Sequence, residues 1–294
     1  VADLIDRDSL TVISAAPACG KTILSFHLAQ SLSLGLPALG KKTSVLGRCA
    51  FLQFDMSERQ QVMYNKLFAP DCPIRYIIGN ALDKIRTPIN LLDADTTENL
   101  VDWCKDECVE VLFVDTLSTA FAGVDENSNQ AMTSVMRVLR SIAQSGITVI
   151  VLHHVAKGEY GYSTSTRGAS AIEGCADNVI KLVECAYGIE VRVTKSRCTS
   201  KGVKAIFKII DNQVVLVDKS EQKYTSDQVR LLSIFETVQE ASRKQIQEHS
   251  GMSPNKLQEL LEQAVKDNIL SKTKVGKTDV YTKVVTQEDE EEAV

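Results

Sequence analysis

The chain has 294 residues, 44% of them hydrophobic and 24% charged, and a formal net charge of −5. That is enough for one large domain, or a medium domain with a small one, and no apolar run reaches the ~20 residues of a membrane span. The acidic balance argues against a surface coated in basic residues for duplex DNA, though not against interior loops that grip nucleic acid.

No signal peptide is visible, so a cytoplasmic protein with no membrane partner is expected. The chain opens on Val1 rather than Met, as a fragment or a processed chain would. Its eight cysteines are scattered, several within apolar or helical stretches, which fits reduced thiols better than a disulfide framework. Cys104 and Cys108 are spaced like half a zinc site, but no second pair follows.

The first element is LTVISA (Leu10–Ala15), a short apolar run that reads as a buried parallel strand. It runs into SAAPACGKT, Ser14 to Thr22. A phosphate-binding loop reads G-x-x-x-x-G-K-[ST]. Here Ala15 holds the place of the first glycine, and Gly20, Lys21 and Thr22 close the motif. TILSFHLAQSLSLG is the helix behind the loop, with Gly35 at its end. CAFLQFD, EVLFVD and ITVIVLHH are three more buried strands. Before the last of them, Val135, Val138, Leu139 and Ile142 repeat at helical spacing, which predicts a helix with one buried face. After Gly174 come NVIKLVE, EVRVTKS, KAIFKII and QVVLVD, separated by short turns such as Asp211-Asn212, as in antiparallel hairpins. The predicted fold is α/β over residues 1–220: a mostly parallel core with an antiparallel extension.

From about Thr225 the composition changes. Three helical segments precede SKTKVGKTDVYTKV, a two-stranded wing around Gly276. That order predicts a small winged helix-turn-helix domain over 221–285, followed by an acidic disordered tail at 286–294.

A loop between a strand and a helix presents successive N–H groups and a helix N-terminus to phosphates. The candidate cradle is Ala18, Cys19, Gly20, Lys21, Thr22 and Ile23. Lys21 places a charge on the β and γ phosphates of ATP, and Thr22 offers a hydroxyl to Mg²⁺. Asp115, at the tip of a buried strand, is a second candidate for holding the metal. Asp55, ending the second strand, is a candidate to orient or deprotonate water, or else a turn residue before a helix capped by Ser57. His153 and His154 end the fourth strand, where they would sense nucleotide state.

Taken with GLPALG, FDMSER, VLFVDTLS, VLHHVAKG, TRGASAIEGCADNVIKL and VTKSR, the loop resembles the RecA-superfamily hexameric helicases, most closely the RepA-like plasmid ATPases, over roughly residues 8–218. The resemblance implies a RecA-like core that uses ATP and Mg²⁺ through Lys21, Thr22, Asp55 and Asp115, with a histidine switch at His154. It implies a ring, expected to be a hexamer, in which Lys195 and Arg197 of VTKSR complete a neighbour's site, with Arg167 as the alternative. Loops Phe121–Gln130 and Val155–Gly168 would face single-stranded DNA, the second through Lys157, Tyr160, Tyr162 and Arg167. Ala15, Ala18 and Asp55 depart from the family pattern, where relatives carry glycine, glycine and glutamate. The winged helix is open to two readings. Its probe helix mixes Asn255, Lys256 and Gln258 with Glu259, Glu262 and Asp267, while Lys272, Lys274 and Lys277 of the wing suit phosphates, so DNA and replication-protein partners both fit. The function expected is an ATP-dependent ring motor, a replicative-type helicase on single-stranded DNA. The alternatives are an ATP-gated assembly switch or helicase loader and, third, a recombinase.

Overall fold

Consecutive residues of the predicted strands are buried on opposite sides, so these strands need cover on both faces. The computed structural model supplies it. It describes residues 1–44, 47–69, 72, 74–78, 89–121, 123–154, 169–185, 187–218, 226–236, 238–276 and 278–284. The chain divides into two compact units, Val1–Val217 and Asp218–Val294.

The first unit is built on strands β1 (Leu10–Ala15), β2 (Arg48–Gln53), β3 (Arg75–Ile78), β4 (Val109–Asp115), β5 (Thr148–His154), β6 (Asn178–Cys185), β7 (Gly188–Ser196), β8 (Gly202–Ile210) and β9 (Gln213–Leu216). They form one sheet in the order β3-β2-β4-β5-β1-β6-β7-β8-β9. Pairings from β3 through β6 are parallel, and those from β6 to β9 are antiparallel. This is the expected RecA-like P-loop core with its antiparallel extension. The β8–β9 turn is Asp211-Asn212, both left-handed at φ 49° and 63°, which matches the twist of the flanking strands.

Helices α1 (Lys21–Leu34) and α2 (Glu58–Phe68) belong to one face, and α3 (Ala94–Asp106), α4 (Leu117–Ala120), α5 (Asn129–Gln144) and α6 (Ala169–Cys175) to the other. Ile13, Phe51, Phe113 and Ile150 pack with Phe26 and Phe68 on the first side. Val12, Leu52, Leu112 and Val151 pack with Leu100, Met136 and Leu139 on the second. Phe26, Phe51 and Phe113 stack in a column, with ring centroids 4.8 and 4.6 Å apart. Gly35 ends α1 in the left-handed conformation at φ 67°, as its position predicts. On α5, Val135, Leu139 and Ile142 are buried, and Val138 packs half-buried against them.

Strand β3 was not expected. Its four residues are too few to carry a period-two pattern. Among the described residues no helix is long and apolar enough to cross a membrane.

The second unit contains α7 (Ser226–Leu232), a 3₁₀ turn at Ser233–Glu236, β10 (Glu240–Ser242), α8 (Arg243–Ser250), α9 (Pro254–Lys266), β11 (Leu270–Val275) and β12 (Thr278–Lys283). The first helical segment is therefore shorter than its sequence suggests and gives way to a short strand. That strand joins β11 and β12 in a sheet ordered β10-β12-β11. Leu231, Phe235, Ile246, Leu257, Leu261 and Tyr281 form a separate core. Ser242 caps α8 through a reciprocal box with Gln245, and Gly251 closes it at φ 60°. Lys277 and the tail 286–294 lie outside the described residues.

Phe51 is sandwiched in the aromatic column and fully buried. Phe51→Ala is expected to destabilise the first unit by about 3–5 kcal/mol. Urea unfolding checks this as a lowered midpoint.

Candidate active site

The loop answers the question its sequence raises. Ala15 closes β1 in extended backbone, buried between β5 and β6, so the missing first glycine is not needed for its backbone freedom. The left-handed positions come later, at Ala18 (φ 64°) and Gly20 (φ 72°). Gly20 is also crowded, so a side chain there would force its neighbours to shift. A Cβ there would lie 2.9 Å from Ile209 Cδ1 and 3.3 Å from Ile189 Cδ1, which roof the loop from β8 and β7. Helix α1 begins at Lys21 with no side-chain cap and no acidic residue in its first turn. Its first N–H groups and dipole therefore favour an anion supplied from outside the helix.

Lys21 is only 6% exposed. Its Nζ donates to the carbonyls of Ala15 at 2.9 Å and Ala16 at 2.8 Å. Burial pushes its pKa down, and the Asp115 carboxylate opposes that shift. Thr22 and Ile23 follow half-buried in the first turn of α1. Cys19 is buried, and its thiol is pushed up to about 11 by burial and by Glu184, so it stays protonated at neutral pH.

The parallel register brings the other candidates to the same end of the sheet. Gln53 of β2 sits opposite Asp115 of β4, and Asp115 opposite Leu152 of β5. Ser14 and Ala15 of β1 sit opposite His153 and His154. Asp115 is 4% exposed. Burial raises its pKa to about 6, with the Asp55 charge adding to the rise and the Gln53 hydrogen bond and Lys21 resisting it. Asp55 is exposed just beyond β2. His153 is pushed down to about 4, first by burial and then by His154 and Lys21. His154, more exposed, is also lowered, mainly by burial.

Sequence reasoning missed Gln53, although a polar residue at the end of a buried strand, two before Asp55, is the signal that marks it. Its Nε2 donates to Asp115 Oδ2 at 3.1 Å, and its Oε1 accepts the Asp55 N–H at 3.0 Å.

Arg197 and Lys195 are elsewhere. Strand β7 runs antiparallel to β6 and ends level with Asn178, which pairs with Thr11 at the start of β1. The loop follows Ala15, four strand residues or ~13 Å further along the sheet. Arg197 Nε is held by Asp177 Oδ1 at 3.0 Å, and its side chain is 52% exposed. Asp177 also accepts from Leu10 N at 2.9 Å and from Arg140 Nη2 at 3.1 Å. Lys195 Nζ donates to the carbonyls of Glu173 and Gly174 near the end of α6. Of the loops expected to face DNA, Val155–Gly168 with Lys157, Tyr160, Tyr162 and Arg167 lies outside the described residues. In the other, Phe121 is buried in the core.

These residues fit a magnesium-bound triphosphate. The loop runs into the first turn of α1, whose N–H groups have no partner within the helix and no side-chain cap, Lys21 is a buried ammonium at its start, Thr22 follows it, and Asp115 is a buried carboxylate at the adjoining strand tips. Two consequences are measurable. Because the Asp115 pKa lies above its unfolded value, stability falls as pH rises between about 4 and about 6 and the penalty persists above. Asp115→Asn is expected to stabilise the nucleotide-free protein by roughly 2 kcal/mol at pH 8 and by almost nothing at pH 4. Paired thermal melts read the difference. Ala18→Gly relieves a left-handed alanine and should raise stability by about 1 kcal/mol, measured by urea unfolding.

The family profile described as an AAA domain matches residues 1–159, more than half of the chain. No curated protein matches it. With the loop, its lysine and the strand-tip aspartate already in place, the chain belongs to the AAA-domain family and is an ATPase of the P-loop class.

Proposed function

We propose that this ATPase works as a ring of identical subunits, of the RepA-like kind and expected to be a hexamer, that translocates on single-stranded DNA during replication. The observation that carries the reading is the placement of Arg197 and Lys195. They sit at the end of β7 that lies away from the loop, which supports a role at another copy's site rather than at the site of their own chain.

In this reading Lys21 leaves the loop carbonyls for the β and γ phosphates, and the N–H groups of Ala18 to Ile23 cradle them. Thr22 and Asp115 would hold Mg²⁺, whose charge when bound would offset that of the phosphates. Asp55 orients the attacking water and accepts its proton. His153 remains neutral and His154 reports the state of the site to the loop that follows. Arg197 of one copy, anchored through Nε, offers its terminal nitrogens to the transferring phosphoryl group of the next, with Lys195 beside it.

The second unit supports a winged helix by its order of elements. Its α9 exposes Asn255, Glu259 and Glu262, with Asp267 exposed just beyond it, while Lys256 is paired with Asp227 at 2.9 Å. Such a face suits a replication-protein partner better than a DNA groove, and phosphate contact would fall to Lys274 and Lys272, the latter already paired with Asp279 at 2.8 Å.

A second reading draws on Asp55, one methylene shorter than the family's glutamate: an ATP-gated assembly switch or helicase loader with slow hydrolysis. Steady-state hydrolysis with and without single-stranded DNA separates the two. The motor reading expects roughly tenfold or greater stimulation, loss of activity in Lys21→Ala, and a fall of about 10³-fold in kcat for Arg197→Ala. Mixing the two inactive variants should restore part of the activity, because each supplies what the other lacks at a shared interface. A slow rate indifferent to DNA would replace the motor by the switch. Full activity in Arg197→Ala would sink completion of the site in trans.

A further inference from the structure

Gln53 has the burial of a core residue and the bonding of a site residue. It is 0% exposed, and the three β2 residues before it, Ala50, Phe51 and Leu52, are buried and apolar. A primary amide at such a place is costly unless both its ends are paired. Both are. The Nε2 donates to Asp115 Oδ2 at 3.1 Å, and the Oε1 accepts the backbone N–H of Asp55 at 3.0 Å. The same Nε2 reaches Gln61 Oε1 on α2 at 3.4 Å. Gln61 is also 0% exposed, and its own Nε2 has no partner among the described residues.

The chemistry fixes which way the Gln53 amide faces. Turned over, it would set an oxygen against the Asp115 carboxylate and an NH₂ against the Asp55 N–H. The glutamine amide donates to the carboxylate and accepts from the peptide N–H at once. Glutamate ionises and donates nothing, and leucine or methionine does neither. The two aspartates repel each other, so the group between them governs how far apart they settle.

We propose that Gln53 is a positioning residue that locks the Asp115 carboxylate and the Asp55 backbone into one frame, with Gln61 tying that frame to α2. It rests on the reading of Asp115 as a magnesium-holding group. Outer residues of this sort orient a ligand rather than contact the metal, and their loss is felt as weakened metal response.

The test uses the full chain and three variants: Gln53→Met, Gln61→Leu and Asp115→Asn. The first readout is the rise in melting temperature caused by ADP, measured without Mg²⁺ and then across a Mg²⁺ titration. The second is kcat for ATP. Gln53→Met is expected to keep the metal-free ADP response, to need about 10–100-fold more Mg²⁺ for the remaining rise, and to lose kcat over the same range. Gln61→Leu should move both readouts the same way by less, and it carries the test if Gln53→Met does not fold. A folded Gln53→Met with the parental Mg²⁺ titration and kcat overturns the proposal. Undiminished Mg²⁺ dependence in Asp115→Asn overturns instead the metal reading beneath it.

Discussion

Two buried charges at one end of a sheet govern this structure. Lys21 and Asp115 are both almost inaccessible, and neither is neutralised by a direct salt bridge to the other among the described ion pairs. Each is held by neutral dipoles: the ammonium by two loop carbonyls, the carboxylate by an amide. Burying ions in this way is costly. The raised pKa of Asp115 is the visible mark of that cost. A core built for stability alone would place leucine at both positions. The fold instead carries these charges at the start of α1 and the tip of β4, with apolar layers behind them on both faces.

Those layers explain what the sequence disclosed. Strands covered on both sides are apolar at most positions, so β1, β2, β4 and β5 stood out as near-continuous runs. The hairpin at Asp211-Asn212 and the end of α1 at Gly35 were legible because each requires left-handed backbone that few residues accept. Short elements at the margins, β3 and β10, were not, since three or four residues show no period. The loop was legible as a motif but not in its strain. A pattern of letters treats Ala15 and Ala18 as equal departures from glycine, whereas the backbone makes the first harmless and the second left-handed.

The aspartates were legible as strand-tip carboxylates. Their coupling was not. Gln53 meets Asp115 across 62 residues of sequence, and only the register of β2 against β4 makes them neighbours. The same holds for Asp177, whose carboxylate accepts hydrogen bonds from Leu10 and Arg140 and pairs with Arg197, joining three distant segments.

The antiparallel turn of β7 has a consequence that the order of motifs hides. In a parallel sheet every strand delivers its last residues to the same end, where loops and ligands gather. A strand that reverses delivers its last residues to the other end. Arg197 follows such a strand and is thereby kept away from its own loop, however close VTKSR stands to the other motifs in chain order. Asp177 then pairs with it at that far end, Oδ1 against Nε at 3.0 Å, while about half of the arginine side chain stays exposed. In the ring reading, the phosphate on the loop of the next copy is its second partner.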